Sequence, residues 1–342
     1  MADPEPVAPS RPGLSPERID LGNATFGLRN SLALWAASRP SARARRTTGT
    51  LPAQMHYENL PITEAVVRVL SEPKLAAWQR EAGRKVEFAH GRYWINHRGF
   101  YRLTHFAARL KASEIRRPTL RCWAFHVILP EEDSSHSNAR SPMHLFRLAD
   151  YESALDEAKR KQIRRARAEL VVVHITDPRT LHDQGWRVIS DNMRRVGLPR
   201  KMTEAAYLAG MDTLVADKRR VLLGAMAGAE LVGYLETFAV DDTAYHDKMF
   251  PADASRAINV SALLHVEAAQ LYRRSGKVTH MCAGLPVTDG ISEFKRRIGM
   301  PIVSVPAYFW TPRPMKTVLR LFKPAALYRA TGELPTNSRG QG

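Results

Sequence analysis

VLLGAMAGAELVGYLETFAV, residues 221–240, contains two apolar runs on either side of the turn AGAE at residues 227–230. Glycine at such a turn tolerates backbone angles that other residues resist, so the pattern predicts a β-hairpin. TAYHDKMF, residues 243–250, is a third short extended run. We therefore expect three consecutive strands of one sheet in this part of the chain.

The residues that follow alternate between helical and extended patterns. INVSALLHVEAAQLYRRSG, residues 258–276, has apolar residues at 3.6-residue spacing and ends at Gly276, a typical C-terminal cap. KVTHMCAG at 277–284 predicts a strand, DGISEFKRRIG at 289–299 a short helix, and IVSVPAYFW at 302–310 a final strand. The predicted order from the hairpin onward is β-β-β-α-β-α-β.

The residues upstream extend this order. ELVVVHIT, residues 169–176, is a β-branched run of strand length. Helical segments follow at about 179–195 and 203–218, and Thr203 is placed to cap the second one. The complete order is β-α-α-β-β-β-α-β-α-β, which resembles the element order of the GNAT acyltransferase fold.

Two motifs resemble those of FemAB-like proteins, which carry two GNAT-like units in tandem. The basic run AKRKQIRRAR at 158–167 is similar to the segment that leads into the second unit of that family. The resemblance extends from about residue 152 to residue 310, and it implies transfer of an aminoacyl or acyl group to an amine. The second motif, G-L-P-x-x-x-G-I-x-x-F-K-x-x-x-G, comprises Gly284, Leu285, Pro286, Gly290, Ile291, Phe294, Lys295 and Gly299.

The expected fold class is α/β (α+β): a GNAT-like mixed sheet flanked by helices, in two tandem units of which the second is better defined. The last two strands, near 277–283 and 301–310, should be adjacent and antiparallel. For the N-terminal region, a diverged GNAT-like unit is one interpretation. The expected division of the chain is a disordered basic and Pro-rich tail at 1–50, the N-terminal region at 51–150, a C-terminal GNAT-like domain at 151–312 and a tail at 313–342.

The composition is typical of a soluble globular protein, with 44% hydrophobic and 25% charged residues in a chain of 342. No apolar run approaches the ~20 residues that span a bilayer, and the N-terminus lacks the apolar core of a secretory signal. We therefore expect a cytoplasmic protein. Cys122 and Cys282 lie in apolar runs, which favours buried free thiols over a disulfide. The cysteine count and the histidine spacing predict no metal site.

The net charge of +17 favours polyanionic partners such as nucleic acid, anionic lipid or a phosphorylated substrate. The alternative is an arginine-rich surface without a specific partner. Basic residues are concentrated at 159–167, and Arg164 and Arg165 are among them. A helix would spread these side chains over most of its circumference, so the segment is either a solvated linker or a site for an anionic substrate.

Acyl transfer to an amine requires that an activated donor lie close to the amine and that the developing oxyanion be stabilised. In the GNAT fold, donor and acceptor meet where the fourth strand splays from the fifth, here about 243–250 and 277–282. CoA-dependent members carry a glycine-containing pyrophosphate loop after the fourth strand, whereas this chain has PADASRAINVSA at 251–262. Helix capping is the alternative function of two of its polar residues, Asn259 and Ser261. The candidates for an anion seat are Arg256, Asn259 and Ser261.

Two residues are candidates for catalysis. Glu236 is the lone charge on a strand face that we expect to carry Val232, Tyr234 and Phe238. Burial would raise the pKa of this carboxyl and suit it to accept a proton from an amine. The alternatives are a position at a solvent-open edge of the face and an ion pair with a nearby arginine. Tyr308, near the end of the last strand, is either a proton donor to the leaving group or a core aromatic residue.

Lys295 directly follows Phe294 in the FemAB-like motif, at the boundary of a helix whose buried side we expect to include Ile291 and Ile298. A lysine there can lay its stem along apolar surface and extend its ammonium into a cleft. The resemblance implies contact with a donor or acceptor phosphate. The expected anionic partner is an acyl thioester such as acyl-CoA, with aminoacyl-tRNA or a nucleotide-linked precursor as alternatives. The rival function is a non-catalytic, basic nucleic-acid-binding protein.

Overall fold

The computed structural model describes residues 57–196, 202–252, 259–286 and 289–333. The predicted disordered tail at 1–50 lies outside these residues. The strands are β1 (Leu60–Pro61), β2 (Val69–Leu70), β3 (Val86–Ala89), β4 (Arg92–His97), β5 (Phe100–Leu103), β6 (Ala124–Ile128), β7 (Ala139–Met143), β8 (Leu145–Arg147), β9 (Val171–His174), β10 (Arg220–Ala227), β11 (Glu230–Val240), β12 (Thr243–Pro251), β13 (His280–Cys282) and β14 (Val303–Trp310). The α-helices are α1 (Glu72–Glu81), α2 (Glu157–Glu169), α3 (Pro178–Val196), α4 (Glu204–Leu208), α5 (Met211–Ala216), α6 (Val260–Ser275), α7 (Asp289–Arg297), α8 (Arg313–Phe322) and α9 (Pro324–Thr331).

The larger sheet, called the central sheet below, has the order β1-β9-β10-β11-β12-β13-β8, and β2 pairs with the end of β11. Strands β9 to β12 are antiparallel to their neighbours, whereas β12 and β13 are parallel. Four antiparallel strands followed by a parallel fifth strand are the arrangement expected of a GNAT-like unit. The fold class predicted from the sequence is confirmed.

The second sheet has the order β3-β4-β5-β6-β14-β7. Its strands β3, β4 and β5 are antiparallel and β6 is parallel to β5, so it repeats the pattern of the central sheet in a shorter form. The two sheets also exchange strands. The early strand β8 pairs with β13 in the central sheet, and the late strand β14 pairs with β6 and β7.

This exchange corrects one prediction from the sequence. The last two strands were expected to be adjacent and antiparallel, but β13 and β14 lie in different sheets. The edge of β13 is already paired with β8, and β14 finds a partner on each of its own edges in the second sheet. Because unpaired edge groups are costly when buried, both strands satisfy their backbone in this arrangement.

Helix α6 covers one face of the central sheet, and its residues Val260, Leu264, Ala268 and Leu271 are buried as the helical spacing predicts. A Cβ atom on Gly233 of β11 would lie 2.7 Å from a methyl group of Val260, so glycine permits the close approach of helix and strand. Helices α3, α4 and α5 cover part of the opposite face. The remainder of that face packs against α1 and the second sheet.

Two segments differ from their predicted structure. Thr203 caps a helix as expected, with its hydroxyl accepting a hydrogen bond from the Ala206 amide at 3.2 Å, but the predicted helix is divided into α4 and α5 around Gly210. The predicted tail after residue 312 instead contains α8 and α9. Leu319 and Leu327 bury against the second sheet, so this segment is part of the folded structure.

Candidate functional site

The central sheet opens beside β12. Residues 243–245 of β12 pair with residues 280–282 of β13, but β12 continues to Pro251 while β13 ends at Cys282. Beyond Cys282 the chain continues along the other neighbour of β13, because Ala283 donates an amide hydrogen bond of 2.8 Å to the carbonyl of His144, directly before β8. The fourth and fifth strands of the unit therefore diverge after Tyr245, at the position where the sequence predicted the site. We call this gap the opening.

Lys295 extends from α7 to this opening. Its ammonium donates a hydrogen bond to the Ala283 carbonyl, directly after the end of β13, and burial lowers the pKa of Lys295 to about 8. The next two residues, Arg296 and Arg297, are exposed and pair with Glu293. Lys295 is half-buried, as expected for a residue between the buried and exposed sides of α7, and Ile298 is buried. Ile291 is 37% exposed and not on the buried side.

A pair of histidines lies on the face of the sheet that α6 covers. His246, the first β12 residue past the paired segment, and His265 of α6 have their Nδ1 atoms 2.7 Å apart. Burial, reinforced by the charge of Lys295, lowers the pKa of His246 to about 3, and burial together with His246 also lowers that of His265. Both rings are neutral at pH 7, so one Nδ1–H donates to the bare Nδ1 of the other. His246 Nε2 is buried and has no hydrogen-bond partner among the described residues.

His144 and Cys282 complete this group of side chains. His144 lies between β7 and β8, and its Nδ1 donates a hydrogen bond of 2.8 Å to the Met300 carbonyl. Burial and then the charge of Lys295 lower the pKa of His144 to about 4, so its Nε2 is an unprotonated acceptor. Burial raises the pKa of the Cys282 thiol to about 12. The charge of Lys295 contributes to the lowered pKa of His144, His246 and His265, so these neutral rings lie within its electrostatic range.

This arrangement is suited to stabilising negative charge. An ammonium in a buried, neutral environment interacts strongly with an anion or a developing oxyanion, because few solvent dipoles screen it. Unprotonated imidazole nitrogens near it can accept a hydrogen bond from an amine. The sequence motif identified Lys295, but sequence reasoning missed His144, His246 and His265. The sequence gives no clear signal for the last two, because β12 also contains Asp247 and Lys248 and α6 also contains Glu267 and Gln270.

Glu236 lies on the opposite face of the central sheet, buried between Tyr234 and Phe238 as predicted. Both of its oxygens accept hydrogen bonds of 2.9 Å from Lys248, and one also accepts a hydrogen bond from Arg220. The ion pair that the sequence left as the alternative is thus what the structure contains. The prediction that Val232 lies on this face was wrong. A β-bulge opposite residues 225 and 226 moves its side chain to the face covered by α6.

Tyr308 lies on β14 in the second sheet, and its ring packs 5.9 Å from that of Phe125. This position makes it part of an aromatic core, and its role as a proton donor remains a prediction. Asn259 occupies the N-cap position of α6 with a φ of 55°, but its side chain makes no capping hydrogen bond. Ser261 is half-buried in the first turn of α6. Arg256 lies outside the described residues.

Arg164 and Arg165 lie on the exposed face of α2, whose buried residues are Ile163 and Ala166. Arg165 forms an ion pair with Glu169 at 3.0 Å. This is the position expected of a solvated helix, and binding of an anion by these arginines remains a prediction.

The two cysteines are buried and unpaired, as expected. Among the residues that the structure describes, no three His, Cys, Asp or Glu side chains are grouped as metal ligands. Over the same residues, no helix has the length and apolar character to cross a membrane.

The strand order, the parallel fifth strand and the opening define the chain as a protein with a GNAT-like fold. No family model and no curated protein sequence matches it. Among solved structures, it is similar to the C-terminal domain of a candidate lysylphosphatidylglycerol synthetase from Agrobacterium fabrum, with 15% identity over 80% of this chain and 96% of that one and a TM-score of 0.47. L-PGS from Bacillus licheniformis gives 11% identity over 74% and 97% of the two chains, with a TM-score of 0.45. FemX gives 8% identity over 68% and 86%, with a TM-score of 0.46.

Proposed function

We propose that this protein is an N-acyltransferase of GNAT/FemAB-like type, which moves an acyl or aminoacyl group from an activated donor to an amine. The observation that carries the proposal is the Lys295 ammonium, held at the opening of the central sheet among neutral histidines. The rate of such a reaction depends on charge stabilisation and on the positions of donor and amine. No nucleophilic side chain is required for direct transfer.

In this proposal the donor carbonyl lies in the opening with its oxygen towards Lys295. The amine nitrogen attacks the carbonyl carbon, and Lys295 stabilises the oxyanion that forms. The C–S or C–O bond to the leaving group then breaks, and the proton lost by the amine reaches the leaving thiolate or alkoxide. In the tautomer whose Nδ1–H donates to His265, His246 has a bare Nε2 with no partner among the described residues, and this nitrogen accepts a hydrogen bond from the amine and orients its lone pair.

The preferred donor is an acyl thioester such as acyl-CoA, with an aminoacyl-tRNA as the alternative. Arg256, Asn259 and Ser261 are proposed to contact the phosphates of the donor, because they follow β12 where GNAT proteins bind pyrophosphate. Glu236 has a supporting role in this proposal, because it fixes Lys248 and Arg220 rather than receiving the proton.

The test is a transfer assay with two donor panels, one of acyl-CoA thioesters and one of aminoacyl-tRNAs, each combined with a panel of primary amines. The products are identified by mass spectrometry. Formation of an N-acyl or N-aminoacyl product above the uncatalysed rate supports the proposal, and the panel that reacts identifies the donor class. Salt-sensitive binding of nucleic acid without turnover on any amine would instead support a binding protein.

A further inference from the structure

A second group of titratable side chains lies on the other face of the central sheet, towards the second sheet. Its members from the central sheet are Arg220, Glu236, Asp247 and Lys248. The second sheet contributes His97, Arg102 and His126, and the turn after α1 contributes Arg84. We call these residues the buried basic cluster.

The members of this cluster are close enough to perturb one another. Burial lowers the pKa of Arg84, and the carboxylate of Asp247 opposes this effect only in part. Burial, followed by the charge of Arg84, lowers the pKa of Arg102 to about 9. Arg102 is directly opposite His126 in the pairing of β5 with β6, so the second sheet presents both side chains on one face. The cluster therefore spans the interface between the sheets.

The cluster carries more positive than negative charge. Glu236 is bound by Arg220 and Lys248, which leaves Asp247 as the carboxylate near Arg84. Burial raises the pKa of Asp247 and weakens its ability to balance the guanidinium charges. Asp217, 3.7 Å from Arg220, is a further carboxylate beside the cluster. Buried charges are stable only when they are compensated, and Asp247 compensates the buried charge of Arg84 only in part.

Several of its buried nitrogens also lack an acceptor. Nε and Nη1 of Arg84 are inaccessible to solvent and have no hydrogen-bond partner among the described residues, and the same is true of Nε2 in His97 and His126. Burial keeps these two rings neutral, with a pKa of about 3 for His97 and about 4 for His126. Guanidinium nitrogens always carry hydrogens, and buried donors are normally satisfied, so Nε and Nη1 of Arg84 indicate a group that is supplied from outside the chain.

We propose that the buried basic cluster binds a carboxylate or phosphate group of the amine acceptor. The acceptor part of this statement rests on the proposed transfer function, whereas binding of the anion does not. The two sites are connected through β12, where His246 contacts the transfer site and Lys248, two residues later, contacts Glu236 on the opposite face. The pairing of β12 with β13 ends at Tyr245, directly before these residues of β12.

The binding test uses two probes, inorganic phosphate and succinate, titrated into the full-length protein by calorimetry with chloride at matched ionic strength as reference. We expect saturable binding of one probe, and the probe that binds distinguishes a phosphate from a carboxylate site. Arg84→Gln should weaken this binding at least tenfold, and Arg84→Lys, which keeps the charge but not the guanidinium geometry, less so. The control is Arg68→Gln, at an exposed arginine of similar chain position.

The proposal is overturned when neither probe binds more tightly than chloride, or when Arg68→Gln weakens binding as much as Arg84→Gln. Circular dichroism of each variant establishes that it is folded, and Arg84→Lys serves as the decisive variant if the glutamine variant unfolds. In the transfer assay, Arg84→Gln should raise KM for anionic amines and leave kcat nearly unchanged. Probe binding without any transfer would refute the proposed function alone, and transfer to neutral amines that is insensitive to Arg84 would refute the acceptor site alone.

Discussion

Replacement of Lys295 by alanine should lower the turnover number about tenfold or somewhat more. A hydrogen bond to a charged group contributes ~1.5–3 kcal/mol, and ~1.4 kcal/mol corresponds to a factor of ten in rate. In the resting protein the ammonium already donates to the Ala283 carbonyl. Only the difference between this contact and the contact with the oxyanion accelerates the reaction, which places the expected effect at the lower end of the range.

The matched control is Arg297→Ala, which removes a cation from the same helix, two residues after Lys295. Arg297 is exposed and pairs with Glu293, so its loss should leave turnover nearly unchanged. Both variants should keep a melting temperature close to that of the parent protein. The assay is single-turnover transfer with the donor found active, at saturating donor and amine. Small and equal effects of the two substitutions would remove Lys295 from the site.

The pH dependence of stability provides an independent check on Lys295. Its pKa of about 8 in the folded protein is below its ordinary value of 10.5, so the folded state binds fewer protons than the unfolded state between these pH values. The free energy of unfolding therefore rises with pH through this window. Lys295→Met should be more stable than the parent below pH 8, and this advantage should shrink towards pH 10.5. Urea unfolding at successive pH values measures it, and an advantage that does not change with pH would contradict burial of the ammonium.

Three further outcomes are expected. The free energy of unfolding should fall as the pH is lowered from 6.5 to about 3, because burial lowers the pKa of His246 to about 3 and only the unfolded chain binds a proton in this range. In urea unfolding at successive pH values, His246→Gln should make this decline smaller. Glu236→Gln should lower the free energy of unfolding by ~3–5 kcal/mol, because it leaves Arg220 and Lys248 buried without their carboxylate, and a loss below ~1 kcal/mol would contradict the described ion pairs. Joint replacement of Arg164 and Arg165 by glutamate should leave the melting temperature unchanged and weaken binding of an anionic donor on the order of 100-fold. Calorimetry measures this affinity, and an unchanged value would mean that α2 is a solvated linker.

Local chemistry determines the parts of the fold that were predicted from the sequence. The turn at Gly228 and the caps at Thr203 and Gly276 depend on residues within a few positions of each other. The partner of β14 does not depend on such local signals. The alternating pattern of β14 fits either sheet. Which sheet β14 joins depends on β8, more than 150 residues earlier in the chain, because β8 occupies the edge of β13.

Only the part of the candidate site that depends on local sequence signals was predicted. Lys295 belongs to a short motif and could be located from it, whereas His246 and His265 come together only because β12 packs against α6. Glu236 was predicted to be buried, and it is, but its ion-pair partners lie on neighbouring strands. A single sequence gives the strand pattern without the register that places Lys248 opposite Glu236.

One irregularity in β12 explains how a single strand serves both faces of the sheet. Thr237 is paired with His246 and Glu236 with Lys248, so Asp247 is an extra residue in a β-bulge. In a regular strand, His246 and Lys248 would point to the same face, because side chains alternate with a period of two. The bulge places His246 against α6 and Lys248 with Glu236 on the opposite face, directly after the last residue of β12 that pairs with β13. Bulges are common beside active sites because they redirect a side chain in this way.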